Sequence, residues 1–119
     1  MRTLTISVPS LPVLSPNRRG ARMSSKVTTE RDFARQVIDL AHLYQWRVHR
    51  NWTELHSPKG WPDLVLCRPP RLLFVELKSE KGRTTPEQES WLADLQACGQ
   101  YTCVWRPSDW DEIVKVLGW

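Results

Sequence analysis

The sequence predicts an α/β fold in which helices flank a four-stranded mixed sheet. Capping boxes precede two segments whose apolar residues have helical spacing, two apolar runs are separated by an Arg-Pro-Pro-Arg connection, and a further apolar run follows the second helix. These three observations indicate the element order αβββαβα. In this order a three-stranded meander is followed by a right-handed crossover, which adds a parallel fourth strand.

The first helix is predicted to begin at Thr29, which forms a capping box with Asp32, and to continue through Tyr44. Its apolar residues recur at helical spacing, and Glu30 lies one turn before the first of them, at the edge of the buried face. Residues 46–54 alternate and are rich in aromatic and β-branched side chains, which predicts a strand followed by a loop.

The next strands are predicted to be residues 63–67 and 72–79, paired as a hairpin around the Arg-Pro-Pro-Arg turn. If the turn is symmetrical and the strands contain no bulge, Asp63 lies directly across from Glu76, with Cβ atoms about 5 Å apart. Lys78 shares the face of Glu76 because side chains two residues apart point the same way. Two acids and a base are therefore expected on one patch of the sheet.

The second helix is predicted to open at the capping box of Thr85 and Gln88 and to end at Gly99. Residues 100–106 then form the fourth strand, and Ser108 caps a short last helix.

Length and charge divide the chain of 119 residues into a basic leader containing Pro and Ser, residues 1–27, expected to be flexible, and one domain, residues 28–119. Residues 1–29 carry five basic and no acidic side chains, whereas the rest of the chain carries a net charge of −1. Such a segment suits a polyanion, a disordered tail or, less well because of its three prolines, a mitochondrial presequence; an over-extended start before Met23 also fits.

No apolar run reaches the roughly 18 residues that a membrane span requires, so a soluble protein is expected. Unpaired cysteines without metal-site spacing indicate core thiols in a reducing compartment, which favours the cytoplasm of a bacterial or phage-host cell; they are Cys67, Cys98 and Cys103.

The paired carboxylates Asp63 and Glu76 repel each other unless a proton or a cation lies between them. Mg²⁺ prefers oxygen ligands and is commonly held by one or two carboxylates, water and a substrate phosphate. With Lys78 as a positive charge beside such an ion, the pattern is typical of a phosphodiesterase. An ordinary cross-strand charge cluster on a solvated sheet face is the alternative, and spacing alone does not decide between the two.

Four features occur in a fixed order: Glu30 on the first helix, Gly-Trp-Pro-Asp at residues 60–63, Phe-Val-Glu-Leu-Lys at residues 74–78, and Thr-Pro-Glu-Gln at residues 85–88 followed by Trp91. Together they resemble the VRR-NUC domain, a branch of the PD-(D/E)XK nuclease superfamily. The resemblance covers about residues 30–106 and implies a restriction-endonuclease-like αβββαβ core.

The resemblance also implies roles for individual residues. Asp63 and Glu76 would ligate Mg²⁺ or Mn²⁺, with the Leu77 carbonyl as a third protein ligand. Lys78 would orient or deprotonate the attacking water. Glu30 would complete the site through a water or a second metal, although an acid in the first turn of a helix is also favoured by the helix dipole alone.

Gln88 would approach the scissile phosphate or the water, or would serve only its capping box. Trp61 and Trp91 are predicted to be core residues rather than platforms for bases. Three basic residues in flanking loops are candidates for DNA-backbone contacts, with surface solubility as the alternative: Lys59, Lys81 and Arg83.

The implied function is that of a metal-dependent DNA endonuclease, structure-specific for a four-way junction or flap in repair, recombination or phage-type replication. Branched DNA is the expected partner and a homodimer the expected assembly. The alternative is a non-catalytic nucleic-acid-binding module on a nuclease fold.

Overall fold

The computed structural model describes residues 29–51 and 57–119. The predictions for the leader, and for the first strand beyond Asn51, lie outside the described residues. The described elements follow the predicted order: α1 (Glu30–Leu43), β1 (Arg47–Arg50), β2 (Leu64–Arg68), β3 (Arg71–Leu77), α2 (Pro86–Ala97), β4 (Tyr101–Trp105) and, after a 3₁₀ turn at Pro107–Asp109, α3 (Trp110–Gly118).

The four strands form one mixed sheet in the order β1-β2-β3-β4. β1 and β3 are antiparallel to β2, and β4 is parallel to β3, as the meander and crossover predict. The hairpin register runs from Arg68 opposite Arg71 to Leu64 opposite Val75 without a bulge. One residue further, the same register brings Asp63 across from Glu76, which confirms the symmetrical-turn prediction.

One face of the sheet carries the hydrophobic core. Alternate residues of β2 and β3 face α1 and α3, which bury their apolar sides against them. The core residues include Phe33, Val37, Leu40, Leu64, Leu66, Leu73, Val75, Leu77, Ile113 and Leu117. The other face is covered by α2, which has no fully buried residue. None of the described helices is long and apolar enough to cross a membrane.

The turn end of the hairpin is joined to the C-terminal end of α3 by two arginines. The Arg68 guanidinium donates to the Leu117 carbonyl at 3.2 Å, and the Arg71 guanidinium donates to the Val116 carbonyl at 2.7 Å. Both guanidinium groups lie over the ring of Trp46, at 4.7 and 5.0 Å from its centroid. These contacts satisfy carbonyls at the end of a helix, where intrahelical donors are missing.

The beginning of the last helix differs from the prediction. Ser108 does not cap it, because the chain first makes the 3₁₀ turn, and α3 starts at Trp110. The carboxylate of Asp109 accepts a hydrogen bond from the Arg106 N–H at 2.8 Å, which starts the turn two residues earlier. The cysteine expectation is also wrong at one position, since Cys98 is exposed while the other two are half-buried.

Candidate active site

Asp63 lies in the turn that leads into β2, and its backbone and side chain are both held. Its carbonyl accepts a hydrogen bond from the Asn51 N–H at 2.8 Å, which extends the β1–β2 ladder. Its Oδ2 accepts the Leu77 N–H at 2.9 Å, across the hairpin. The carboxylate is therefore fixed against the end of β3, beside Glu76.

The turn before Asp63 is pressed against α2. Gly60 has φ +90°, and a Cβ at this position would lie 2.5 Å from the carbonyl carbon of Glu87, so only glycine fits. The next residue, Trp61, packs edge to face on Trp91 at 5.0 Å and on Phe74 at 6.0 Å between ring centroids. Trp61 and Trp91 are half-buried, so they form the layer between α2 and the sheet rather than the centre of the core.

Glu76 is buried on this second face of the sheet, with 1 % of its surface exposed. Its Oε2 accepts the Gln88 amide at 2.7 Å and lies 3.7 Å from the Lys78 ammonium. Its Oε1 is buried with no hydrogen-bond donor among the described residues. Glu76 therefore does not lie on a solvated face, as the charge-cluster alternative expects, whereas Asp63 and Lys78 are half-buried.

The electrostatic environment opposes ionisation of Glu76. Burial, followed by the adjacent carboxyl group of Asp63, raises the pKa of Glu76 to about 8. The Lys78 ammonium acts in the opposite direction, and Glu30 adds to the increase. Asp63 and Glu76 are within hydrogen-bonding reach of each other, but two ionised carboxylates have no proton to share, so either a proton or a cation must lie between them.

Gln88 performs two tasks at once. Its Oε1 accepts the Thr85 N–H at 2.9 Å, and its backbone N–H donates to the Thr85 hydroxyl at 3.1 Å, which completes the predicted capping box. Its Nε2 is the donor that holds Glu76. The cap of α2 and the orientation of the buried carboxylate thus depend on one side chain.

Arg106 holds the loop that follows Lys78. The Lys78 N–H donates to the Trp105 carbonyl at 3.0 Å, which continues the β3–β4 ladder. The Arg106 guanidinium donates to the carbonyls of Ser79 at 2.8 Å and Gly82 at 2.6 Å. Sequence reasoning missed Arg106, because its acceptors are carbonyls more than 20 residues away and no local pattern marks them.

The other predicted site residues lie around this centre. Glu30 is exposed in the first turn of α1, and its charge acts on Glu76. Lys59, Lys81 and Arg83 are exposed. Lys59 forms an ion pair with Glu87 at 3.9 Å, at the start of α2, whereas Lys81 and Arg83 lie in the loop after Lys78.

The donor set fits a hard divalent cation. Asp63 and Glu76 present adjacent carboxylates. The buried Oε1 of Glu76 has no hydrogen-bond donor among the described residues, and a bound cation would satisfy this oxygen instead. Within the described ranges, no group of three or more His, Cys, Asp or Glu side chains is arranged to hold a metal. Two carboxylates supplemented by a backbone carbonyl and water match the way proteins bind Mg²⁺, rather than a side-chain cage such as that of structural zinc.

Comparisons with known proteins identify the family and the fold of this chain. A family model of the VRR-NUC domain matches residues 22–106. A solved structure described as a VRR_NUC domain protein is similar with a TM-score of 0.60 and 19% identity, over 77% of this chain and 87% of that chain. At this identity the likeness shows a shared fold. No curated protein matches the chain.

Proposed function

The chain belongs to the VRR-NUC domain family, a family of nuclease-type domains, and from that premise we propose that it is a metal-dependent endonuclease that hydrolyses DNA phosphodiester bonds. The observation that carries the proposal is the pair formed by Asp63 and the buried Glu76, whose Oε1 has no donor among the described residues. Buried carboxylates with perturbed pKa values cluster at functional sites. In a cluster of charges that is only structural, each buried carboxylate oxygen normally has a hydrogen-bond partner.

Asp63, Glu76 and the Leu77 carbonyl would hold the ion, with Glu30 reaching it through water. A bound Mg²⁺ or Mn²⁺ supplies positive charge that polarises the phosphoryl group. Lys78, beside Glu76, orients the attacking water and adds positive charge next to the phosphate.

The surroundings of the pair are suited to an anionic substrate once the carboxylates are neutralised. Gln88 holds Oε2 of Glu76 at the start of α2, where the positive end of the helix dipole favours a phosphate. Lys59, Lys81 and Arg83 are proposed to contact the DNA backbone around the site. Because unneutralised acids repel phosphate, tight DNA binding is expected to need the divalent ion.

Branched DNA, such as a four-way junction or a flap, is the proposed substrate, in repair, recombination or phage-type replication. The described part of the chain carries no helix-turn-helix or zinc finger in addition to the core fold, which favours recognition of DNA shape over a long sequence. A homodimer would present two sites to the arms of a junction, and sedimentation analysis tests this assembly.

The central experiment incubates the purified protein with plasmid, flap and four-way-junction DNA, in EDTA, Mg²⁺ or Mn²⁺. Wild-type protein is expected to cleave only with the metal, and Asp63→Ala and Lys78→Ala are expected to be inactive. Asp94→Asn is the matched control, because Asp94 is an exposed acid on α2. Cleavage by the Asp63 and Lys78 variants at the wild-type rate removes the assigned site, and metal-independent binding without cleavage supports the non-catalytic alternative.

A further inference from the structure

An open groove of about 380 Å³ lies between α1 and the edge strand β1, apart from the carboxylate pair. Four of its six lining residues are basic types and none is acidic. The lining consists of Arg31, Arg35, Ile38, His42, Val48 and Arg50.

The basic character of the groove follows from the periodicity of both elements. The spacing of Arg31, Arg35 and His42 brings them onto one stripe of α1, because side chains four and seven residues apart share a helix face. The three acids of this helix, Glu30, Asp32 and Asp39, project about 80–100° away from Arg31 around the axis, and none of them lines the groove. The side chains that line the groove are therefore basic or apolar, and Asp39, four residues after Arg35, lies beside the basic stripe.

The two arginines on α1 are available to a ligand. Arg31 and Arg35 are exposed, and neither has an ion pair with a carboxylate in residues 29–51 or 57–119. Ile38 and Val48 are half-buried and pack against the core, so they form an apolar floor between the charges. Guanidinium groups above an apolar floor suit a phosphate with its attached sugar.

One end of the groove is connected to the proposed catalytic site through residues that neighbour Arg31 and Arg50 in the chain. Arg50 precedes Asn51, whose N–H donates to the carbonyl of Asp63. Arg31 follows Glu30, whose charge acts on Glu76. From Arg31 to His42 the helix rises about 16 Å, which is comparable with about five nucleotide steps of one strand at roughly 3.4 Å per charge.

We propose that this groove binds the sugar–phosphate backbone of the DNA strand that leads away from the carboxylate site. The assignment rests on the proposed function for the identity of the ligand as DNA. It adds a binding surface on the α1 side of the domain, opposite the loops that carry Lys59, Lys81 and Arg83. Because the contacts are to phosphates, they contribute affinity and positioning without sequence preference.

The test measures binding of a fluorescein-labelled duplex by anisotropy in Mg²⁺, as a function of salt, with Lys78→Ala as the uncleaving background. Adding Arg31→Ala and Arg35→Ala is expected to weaken binding roughly tenfold at low salt. It is also expected to reduce the slope of log K against log salt by about 1.8, since each phosphate contact contributes about 0.9. The matched control is Arg47→Ala with Lys115→Ala, which removes two exposed charges outside the groove.

The outcomes separate this proposal from the nuclease assignment. A groove variant that binds with the slope and affinity of the control overturns the groove while wild-type cleavage still stands. The opposite outcome is also distinguishable. If the wild-type protein never cleaves DNA but the groove variant lowers the slope of log K against log salt by about 1.8, the groove assignment is retained and the nuclease assignment is overturned. Equal displacement of the duplex by inorganic phosphate at the same phosphate concentration overturns the strand-binding assignment, because a multi-contact strand must compete better.

Discussion

The two ends of the β2–β3 hairpin each bring like charges face to face, but the surroundings treat them differently. At the turn end, Arg68 and Arg71 are directly paired, and both donate to helix-end carbonyls and stack on Trp46. At the open end, Asp63 and Glu76 meet, and Oε1 of Glu76 has no donor among the described residues.

The difference separates a structural charge pair from a functional one. Each arginine has protein acceptors, so its burial is compensated within the fold. The carboxylates compensate each other only if a proton or cation is shared, which makes the open end costly in the folded protein without a ligand. Variants at the open end should therefore trade activity against stability, whereas variants at the turn end should change stability alone.

The largest expected effect is the loss of cleavage in Asp63→Asn. Asparagine keeps an oxygen that can accept the Leu77 N–H, so the turn is retained, but it removes the charge that the metal requires. Cleavage in Mg²⁺ is expected to fall by about 10³-fold or more, equivalent to roughly 4 kcal/mol of transition-state stabilisation. Single-turnover cleavage measures the effect, and thermal unfolding in EDTA checks that the melting temperature is not lowered. A variant that retains a tenth of the wild-type rate would contradict the role of Asp63.

The next effect is a pH-dependent gain of stability in Glu76→Gln. The pKa of Glu76 rises from 4.5 to about 8 on folding, so between these values the folded chain holds a proton that the unfolded chain has lost. The free energy of unfolding therefore falls as pH increases through this window, and glutamine removes that dependence. In EDTA we expect similar melting temperatures at pH 4.5 and a more stable variant, by up to about 4–5 kcal/mol, at pH 8.5.

Magnesium sharpens the Glu76 comparison. An ion that binds only the folded state should stabilise the wild-type protein in proportion to its saturation, and Glu76→Gln should lose most of this increase. If the melting temperatures of the two proteins depend on pH in the same way in EDTA, the surroundings of Glu76 do not raise the pKa of its carboxyl group.

The turn end should respond in the opposite way, with Arg71→Ala reducing stability and leaving catalysis unchanged. The substitution removes the donor to the Val116 carbonyl and the contacts with Trp46 and Trp119. The free energy of unfolding is expected to fall by about 1–2 kcal/mol. For a domain of this size, each kcal/mol lowers the melting temperature by roughly 4–8 °C. Arg47→Ala, an exposed arginine at the same end, is the control. A cleavage rate per folded molecule that falls tenfold in Arg71→Ala would show that the two ends are coupled.

The sequence was sufficient to predict the hairpin register and the face shared by Asp63, Glu76 and Lys78, because a short symmetrical turn and the two-residue period of a strand are local properties. The burial of Glu76 was not predictable in the same way. It depends on how α2 docks through Trp61 and Trp91, which are 30 residues apart in the chain.

Hydrogen bonds between residues that are distant in the chain could not be predicted from the sequence either. Capping residues Thr29 and Thr85 were identified because their partners lie three residues away. The role of Arg106 was not predicted, because a guanidinium that donates to distant carbonyls produces no periodic pattern in the sequence. The start of the last helix was misplaced because two adjacent residues, Ser108 and Asp109, both suit a helix beginning. The Asp109 carboxylate accepts the Arg106 N–H and starts the 3₁₀ turn, while the Ser108 N–H donates to the distant carboxylate of Glu80.

The smallest expected effect distinguishes the two tasks of Gln88. Thr85→Ala removes the hydroxyl acceptor of the α2 cap but leaves the amide that holds Glu76, whereas Gln88→Ala removes both the reciprocal cap and that amide. Each variant is expected to lose about 1 kcal/mol of stability. Only Gln88→Ala is expected to lower kcat, by about tenfold with little change in KM, because Glu76 is then free to turn away from the position that the metal requires. If Thr85→Ala lowers kcat as much as Gln88→Ala does, the activity depends on the helix cap, and the hydrogen bond from Gln88 to Glu76 has no separate role in positioning the carboxylate.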